Sequence, residues 1–215
     1  MADAVGQSGL LWSGPMAPQS GRNLLVMLHG ATSSERDPFE RLVPLLREDL
    51  SVVAPRGPVA EGDGYSWVSP ETRASVTTDT DVAAVGNEIA RSVLGWLDTL
   101  PAFGTVGILG ASQGACVGFQ LLRAAPSRFA YAINLSGYLL PGSEEGDRDL
   151  QRGRPPVFWG RGDFDEVIPE DYISRTAHWL RRHSTLTERT YAMGHDVCPA
   201  ELNDVAAFVD EQIGG

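Results

Sequence analysis

Cysteine is scarce in this sequence: only Cys116 and Cys198 occur among 215 residues. Two thiols make neither a disulfide framework nor a clustered set of metal ligands, and the plain reading is a pair of reduced thiols. Long apolar runs are also missing. No stretch approaches the roughly 20 residues needed to cross a bilayer, and residues 1–23 lack the basic start and continuous apolar run of a signal peptide. A cytoplasmic location without stable membrane association is therefore expected. Positive charge is in deficit, with 17 Lys+Arg against 28 Asp+Glu and a net charge of -11. That balance disfavours nucleic acid or anionic lipid as a partner. No internal repeat, low-complexity tract or linker divides the chain, so residues 1–215 read as one domain with ample length for one core.

What is present is alternation. Short apolar runs fall at Leu24–Leu28, Ser51–Ala54, Thr105–Leu109, Phe129–Leu135, Pro156–Trp159 and Leu186–Tyr191. Bounded by Gly and Pro, they fit strands buried on both faces of a parallel sheet. Helical stripes lie between them. Val82, Val85, Ile89, Val93 and Trp96 share one face of a helix that Asp79 or Asp81 would cap. Tyr172, Ile173, Ala177 and Leu180 form a second stripe after Pro169, and Leu202, Val205, Val209 and Ile213 a third. Asp37-Pro38 opens a less tidy segment that Pro44 must kink or interrupt. From Pro55 to Thr80 the chain is rich in turn residues without helical periodicity, which predicts a surface loop rather than an amphipathic lid. Strands alternating with helices imply crossover connections, and so an α/β fold with a doubly wound, mainly parallel sheet and helices on both faces.

One run, Thr105 to Val117, reads as strand, sharp turn and helix, and holds Gly110-Ala111-Ser112-Gln113-Gly114. The G-x-S-x-G spacing suits a serine on a strained turn, with glycines at ±2 giving strand and helix room to approach. The pattern alone is weak; its place at a strand-to-helix junction gives it weight. Ser112 is the candidate nucleophile, and the following helix points its amino end at developing negative charge. Cys116, one helical turn on, reads as a small core residue rather than a rival.

A serine hydroxyl needs a base, and the base needs a third group to orient it. Of four histidines, His178 and His183 fall on a predicted amphipathic helix as solvated surface, and His29 precedes Gly30 at a strand end in a structural position. His195 lies between the last strand and the last helix, at the sheet edge where such folds bind ligands. By elimination and position it is the candidate base. The segment Pro156 to Pro169 offers Asp163, Asp165 and Glu166 as acids, in the order Ser, acid, His that this architecture uses; the residues alone do not choose among them.

With these motifs in order, the sequence resembles the phospholipase/carboxylesterase family, which includes bacterial carboxylesterases and acyl-protein thioesterases. The anchors are Leu28-His29-Gly30, Pro55-Arg56-Gly57, Tyr65-Ser66-Trp67, the Ser112 motif, Asn134-Leu135-Ser136-Gly137, Gly162-x-x-Asp165-x-Val167-Ile168-Pro169 and Gly194-His195. The resemblance implies the α/β-hydrolase fold without a lid domain. Aligned on Pro169, it selects Asp165 as the acid. It also implies an oxyanion hole from the backbone N–H groups of Ala31 and Gln113. The implied activity is that of a serine carboxylesterase using no cofactor and no metal. Its substrates would be soluble short- to medium-chain esters, thioesters or lysophospholipids as small-molecule partners. Trp67, Trp159, Phe164 and Tyr138 fall near the same edge and are candidate pocket residues. The rivals are a dienelactone-type hydrolase, which a cysteine nucleophile would favour, and a non-catalytic binding module, which would be expected to have lost a triad member.

Overall fold

A computed structural model describes residues 5, 9–14 and 22–214. The segment weighed as a leader therefore lies largely outside the described residues. Among these, seven strands form one sheet: β1 (Leu10–Ser13), β2 (Asn23–Leu28), β3 (Ser51–Pro55), β6 (Thr105–Ala111), β7 (Tyr131–Leu135), β8 (Pro156–Gly162) and β9 (Thr185–Tyr191). Their spatial order is β1-β3-β2-β6-β7-β8-β9. Only β1 runs antiparallel to its neighbour; every other pair is parallel. A separate hairpin pairs β4 (Val59–Glu61) with β5 (Gly64–Ser66).

Two-residue alternation along the strands feeds two cores, one on each face. Leu24, Val26 and Leu28 of β2 face one cluster, Leu25 and Met27 the other. The first face is covered by α3 (Asp79–Leu97), α4 (Gln113–Ala124) and α6 (Glu170–His183), with Leu150 of α5 (Asp147–Gly153) at its margin. The second is covered by α1 (Phe39–Leu42) and α7 (Pro199–Ile213). Burying each aliphatic or aromatic side chain in these layers stabilises the fold by about 1.5–3 kcal/mol. Pro44 does interrupt its helix: α1 has four residues and gives way to a 3-10 turn at Val43–Leu45. The cap of α3 is Thr78, not Asp79 or Asp81, because the Thr78 hydroxyl accepts from the Asp81 N–H at 3.2 Å and donates to the Asp81 carboxylate at 2.7 Å.

The turn-rich stretch before α3 is more ordered than its sequence suggests. It holds the β4–β5 hairpin and a short helix, α2 (Pro70–Ser75), capped by Ser69. Its six residues, Pro-Glu-Thr-Arg-Ala-Ser, carry no large apolar side chain and five of them are exposed, so it makes no apolar lid. His183 also departs from expectation: it is half-buried and stacks on Trp179 at 4.3 Å between ring centres, while His178 is exposed. Among the described residues, no helix is long and apolar enough to cross a membrane.

Candidate active site

Ser112 sits between β6 and α4 at φ 50° and ψ −115°, a strained conformation for a residue with a Cβ. Its N–H is anchored to Leu135 O of β7 at 2.8 Å. The flanking glycines are there for space. A Cβ on Gly110 would strike Gly114 O and the Ala115 backbone, and one on Gly114 would strike Leu28 O and His29 O. The strained turn lifts the hydroxyl off the sheet while strand and helix meet at backbone contact.

His195, on the loop between β9 and α7, receives that hydroxyl at Nε2 over 2.8 Å. Its Nδ1 is 2.8 Å from Asp165 Oδ2. Because the carboxylate only accepts, the proton sits on Nδ1 and Nε2 is left as the acceptor for Ser112. Asp165 Oδ1 accepts from the Val167 N–H at 2.9 Å and the Ile168 N–H at 3.2 Å. Burial alone would raise the Asp165 pKa; the bonds from His195, Val167 and Ile168 outweigh it and hold the carboxyl below its ordinary value. The three candidate carboxylates thus separate by geometry. Asp165 has a side chain 3% exposed beneath the imidazole, whereas Asp163 and Glu166 face solvent.

The turn after β2 passes close to the serine: a Cβ on Gly30 would lie 3.5 Å from Ser112 Cβ. No backbone acceptor takes the Ala31 N–H among the described residues. Gln113, the first residue of α4, has an N–H without an intrahelical acceptor. Several sequence anchors serve this turn. Thr32, at φ 57°, donates its N–H to Ser66 Oγ at 3.0 Å, Ser66 donates to Glu61 at 2.6 Å, and Glu61 is paired with Arg73. His29 donates from Nδ1 to Gly30 O at 2.7 Å and accepts the Gly57 N–H at Nε2 over 2.8 Å. Burial lowers its pKa, so it is a neutral, fully engaged brace. Arg56 grips the buried Glu35 with two bonds, at 2.8 and 2.5 Å. Sequence reasoning recognised these anchors only as matching words; the Glu61–Ser66–Thr32 relay carried no periodic signal.

Beside Ser112 opens a cavity of about 500 Å³, walled by α2, α3, α4, Tyr138, Leu140 and the start of α6. Val82, Val85 and Ile89 line it, so the leading end of the α3 stripe faces the cavity while Val93 and Leu97 enter the core. Of the four aromatics singled out by position, Tyr138 lines this cavity. Trp159 does not, because β8 turns its ring into the core on the face that α3, α4 and α6 cover. Trp67 is also buried and works as a clamp: its indole N–H donates to His29 O at 2.8 Å and its backbone N–H to Gln113 Oε1 at 2.7 Å. Phe164 is 69% exposed on the Asp165 loop, outside the cavity wall. Burial pushes the Cys116 thiol to about 12, so it stays protonated in the wall of the cavity. Among the described residues, no group of three or more His, Cys, Asp or Glu is placed to hold a metal ion.

A parallel sheet flanked by helices, with a serine on a strand-to-helix turn and an acid–histidine pair on the loops after β8 and β9, defines the α/β-hydrolase fold. The chain belongs to the phospholipase/carboxylesterase family, whose model matches residues 17–213. It is 25% identical over 109 residues to acyl-protein thioesterase 1 of Saccharomyces cerevisiae, covering 48% of each chain. It is 23% identical over 155 residues to acyl-protein thioesterase 1 of Kluyveromyces lactis, covering 69% of this chain and 67% of that one. The first alignment thus spans about half the length of the curated relative. Among solved structures, Zea mays acyl-protein thioesterase 2 superposes with a TM-score of 0.72 at 20% identity, over 96% of this chain and 99% of that one. Bacillus cereus carboxylesterase gives 0.71 at 16% identity, over 94% and 93%. These likenesses show the fold.

Proposed function

We propose that the protein hydrolyses soluble carboxylic esters or thioesters of short to medium acyl chain through an acyl-enzyme on Ser112. The observation that carries this is the unbroken relay from Ser112 Oγ through His195 to Asp165, at 2.8 Å for each bond, at the mouth of an apolar cavity. Ser112 Oγ attacks the carbonyl carbon as His195 Nε2 takes its proton. The Ala31 and Gln113 N–H groups bind the oxygen as it becomes negative, where such donors are worth several kcal/mol. Collapse expels the alcohol or thiol, which leaves with the proton from His195. A water then attacks the acyl-serine, giving its proton to His195, and the acid departs as Ser112 is reprotonated. Asp165 keeps the imidazole in the tautomer these transfers require.

The polar helix α2 at the rim supports an open site entered by monomeric substrate, without interfacial activation. The two free thiols and the acidic surface fit a reducing, cytoplasmic setting. The test is a series of p-nitrophenyl esters of increasing chain length, with an acyl thioester alongside. We expect the highest kcat/KM on dissolved short or medium chains and no jump at the solubility limit. A sharp rise in rate at the onset of emulsion contradicts the open site, and inactivity on every ester and thioester contradicts the reading.

A further inference from the structure

Two residues that line the cavity beside Ser112 carry a polar atom to which no described residue gives a hydrogen-bond partner. One is the Tyr138 hydroxyl. The ring is set edge-on to Tyr172 at 4.7 Å between centres and lines the cavity, and no described residue hydrogen-bonds its oxygen. Burial raises the phenol above its ordinary pKa, so the group is a neutral hydroxyl able to donate or accept. The other is Nε2 of the Gln113 side chain. The Trp67 N–H requires an acceptor and takes Oε1 at 2.7 Å, which fixes the amide's orientation and leaves Nε2 as a donor on a residue that lines the cavity.

The rest of the lining is mainly apolar. Among the described residues the one cation in it, Arg73, is consumed by Glu61 and by Val68 O, the latter at 2.7 Å. A carboxylate on the substrate would find no counter-charge here. A plain alkyl chain filling the space would displace water from the Tyr138 hydroxyl and leave it unpaired, which binding must then pay for. A neutral oxygen on the chain restores the bond. We propose that this cavity selects acyl groups carrying a neutral oxygen function, such as a ketone, hydroxyl or ether, held by the Tyr138 hydroxyl with Gln113 Nε2 as second donor, over plain alkyl chains of equal length. This selection rests on the acyl-enzyme reading given above.

The experiment compares p-nitrophenyl octanoate with an isosteric series in which one methylene at a time is replaced by an ether oxygen or a ketone. Each kcat/KM is divided by that ester's hydroxide-catalysed rate, and the series is run on the full chain and on Tyr138→Phe. At least one oxygenated ester should exceed octanoate by about fivefold, the worth of one net hydrogen bond. Tyr138→Phe should bring the ratio of the best oxygenated ester to octanoate down to about one. A series with no member above octanoate on the unaltered chain overturns the proposal, and this arm stands even where the variant does not fold. A Tyr138→Phe enzyme that scales every ester by one factor also overturns it, because a mere wall residue would do the same. Both of those results leave the hydrolase reading intact; failure to cleave any ester would remove both.

Discussion

Asp165 is the residue whose environment is most specialised. Its carboxyl is held ionised by three hydrogen bonds, from His195, Val167 and Ile168. Because its pKa is depressed, the stability it contributes is present above the ordinary carboxylate range and is lost as pH falls through its lowered value. Replacing it with Asn keeps the shape but presents an amide where the imidazole N–H needs an acceptor. Asp165→Asn should therefore lower kcat by about 10⁴-fold. Asp163→Asn, two residues away on the exposed part of the loop, should cost less than about threefold, as for most surface changes remote from the chemistry. Steady-state rates of the two variants check this, and reversed penalties would show that the acid is misassigned.

At the scale of elements, α3 has two jobs along one stripe. Val93 and Leu97 are core, whereas Val82, Val85 and Ile89 wall the cavity. Val85→Phe should fill part of that space, lowering kcat/KM for octanoyl esters by about tenfold with little change for acetyl esters, as pocket volume changes of this size do. Equal loss on both would indicate a damaged fold instead. The stripe was legible in the sequence because 3.6-residue periodicity records which face is apolar. It does not record whether an apolar face meets side chains or an empty cavity. The six strands read from the sequence all form, because β-rich apolar runs between breakers leave little choice. The edge strand β1, the β4–β5 hairpin, α2 and α5 were not legible: each is short and half-exposed, held by caps and tertiary hydrogen bonds such as that from Thr72 N–H to Ser69 Oγ at 3.1 Å. Ser112 and His195 were readable from local context. Choosing Asp165 over Asp163 needed either the family motif or the fold, since only three-dimensional placement distinguishes two loop aspartates.

Across the whole molecule, the excess of acid is mostly solvent-exposed, but Glu35, Asp165 and Glu201 bury their carboxylates. Glu201, in the first turn of α7, is fully buried, and its carboxylate has no side-chain hydrogen-bond partner among the described residues. Burial is the main cause that raises its pKa from 4.5 to about 7; the Cys198 N–H and Arg41 oppose the rise, while Asp196 and Asp204 add to it. A carboxyl with a raised folded pKa stabilises the fold below its unfolded value and loses that contribution as pH climbs through the folded one. The loss here is on the order of 3 kcal/mol between about pH 4.5 and 7. Glu201→Gln should flatten this part of the stability curve and raise Tm at pH 8 relative to the unaltered chain, measured by thermal denaturation. Parallel curves for the two proteins would contradict the assignment. The central claim is that this fold exists to make Ser112 a nucleophile, and one measurement reaches it directly: fluorophosphonate labelling followed by mass spectrometry of the modified peptide. The account predicts one adduct on Ser112, retained in Cys116→Ser and absent in Ser112→Ala. An unlabelled protein, or an adduct that persists in Ser112→Ala, would contradict it.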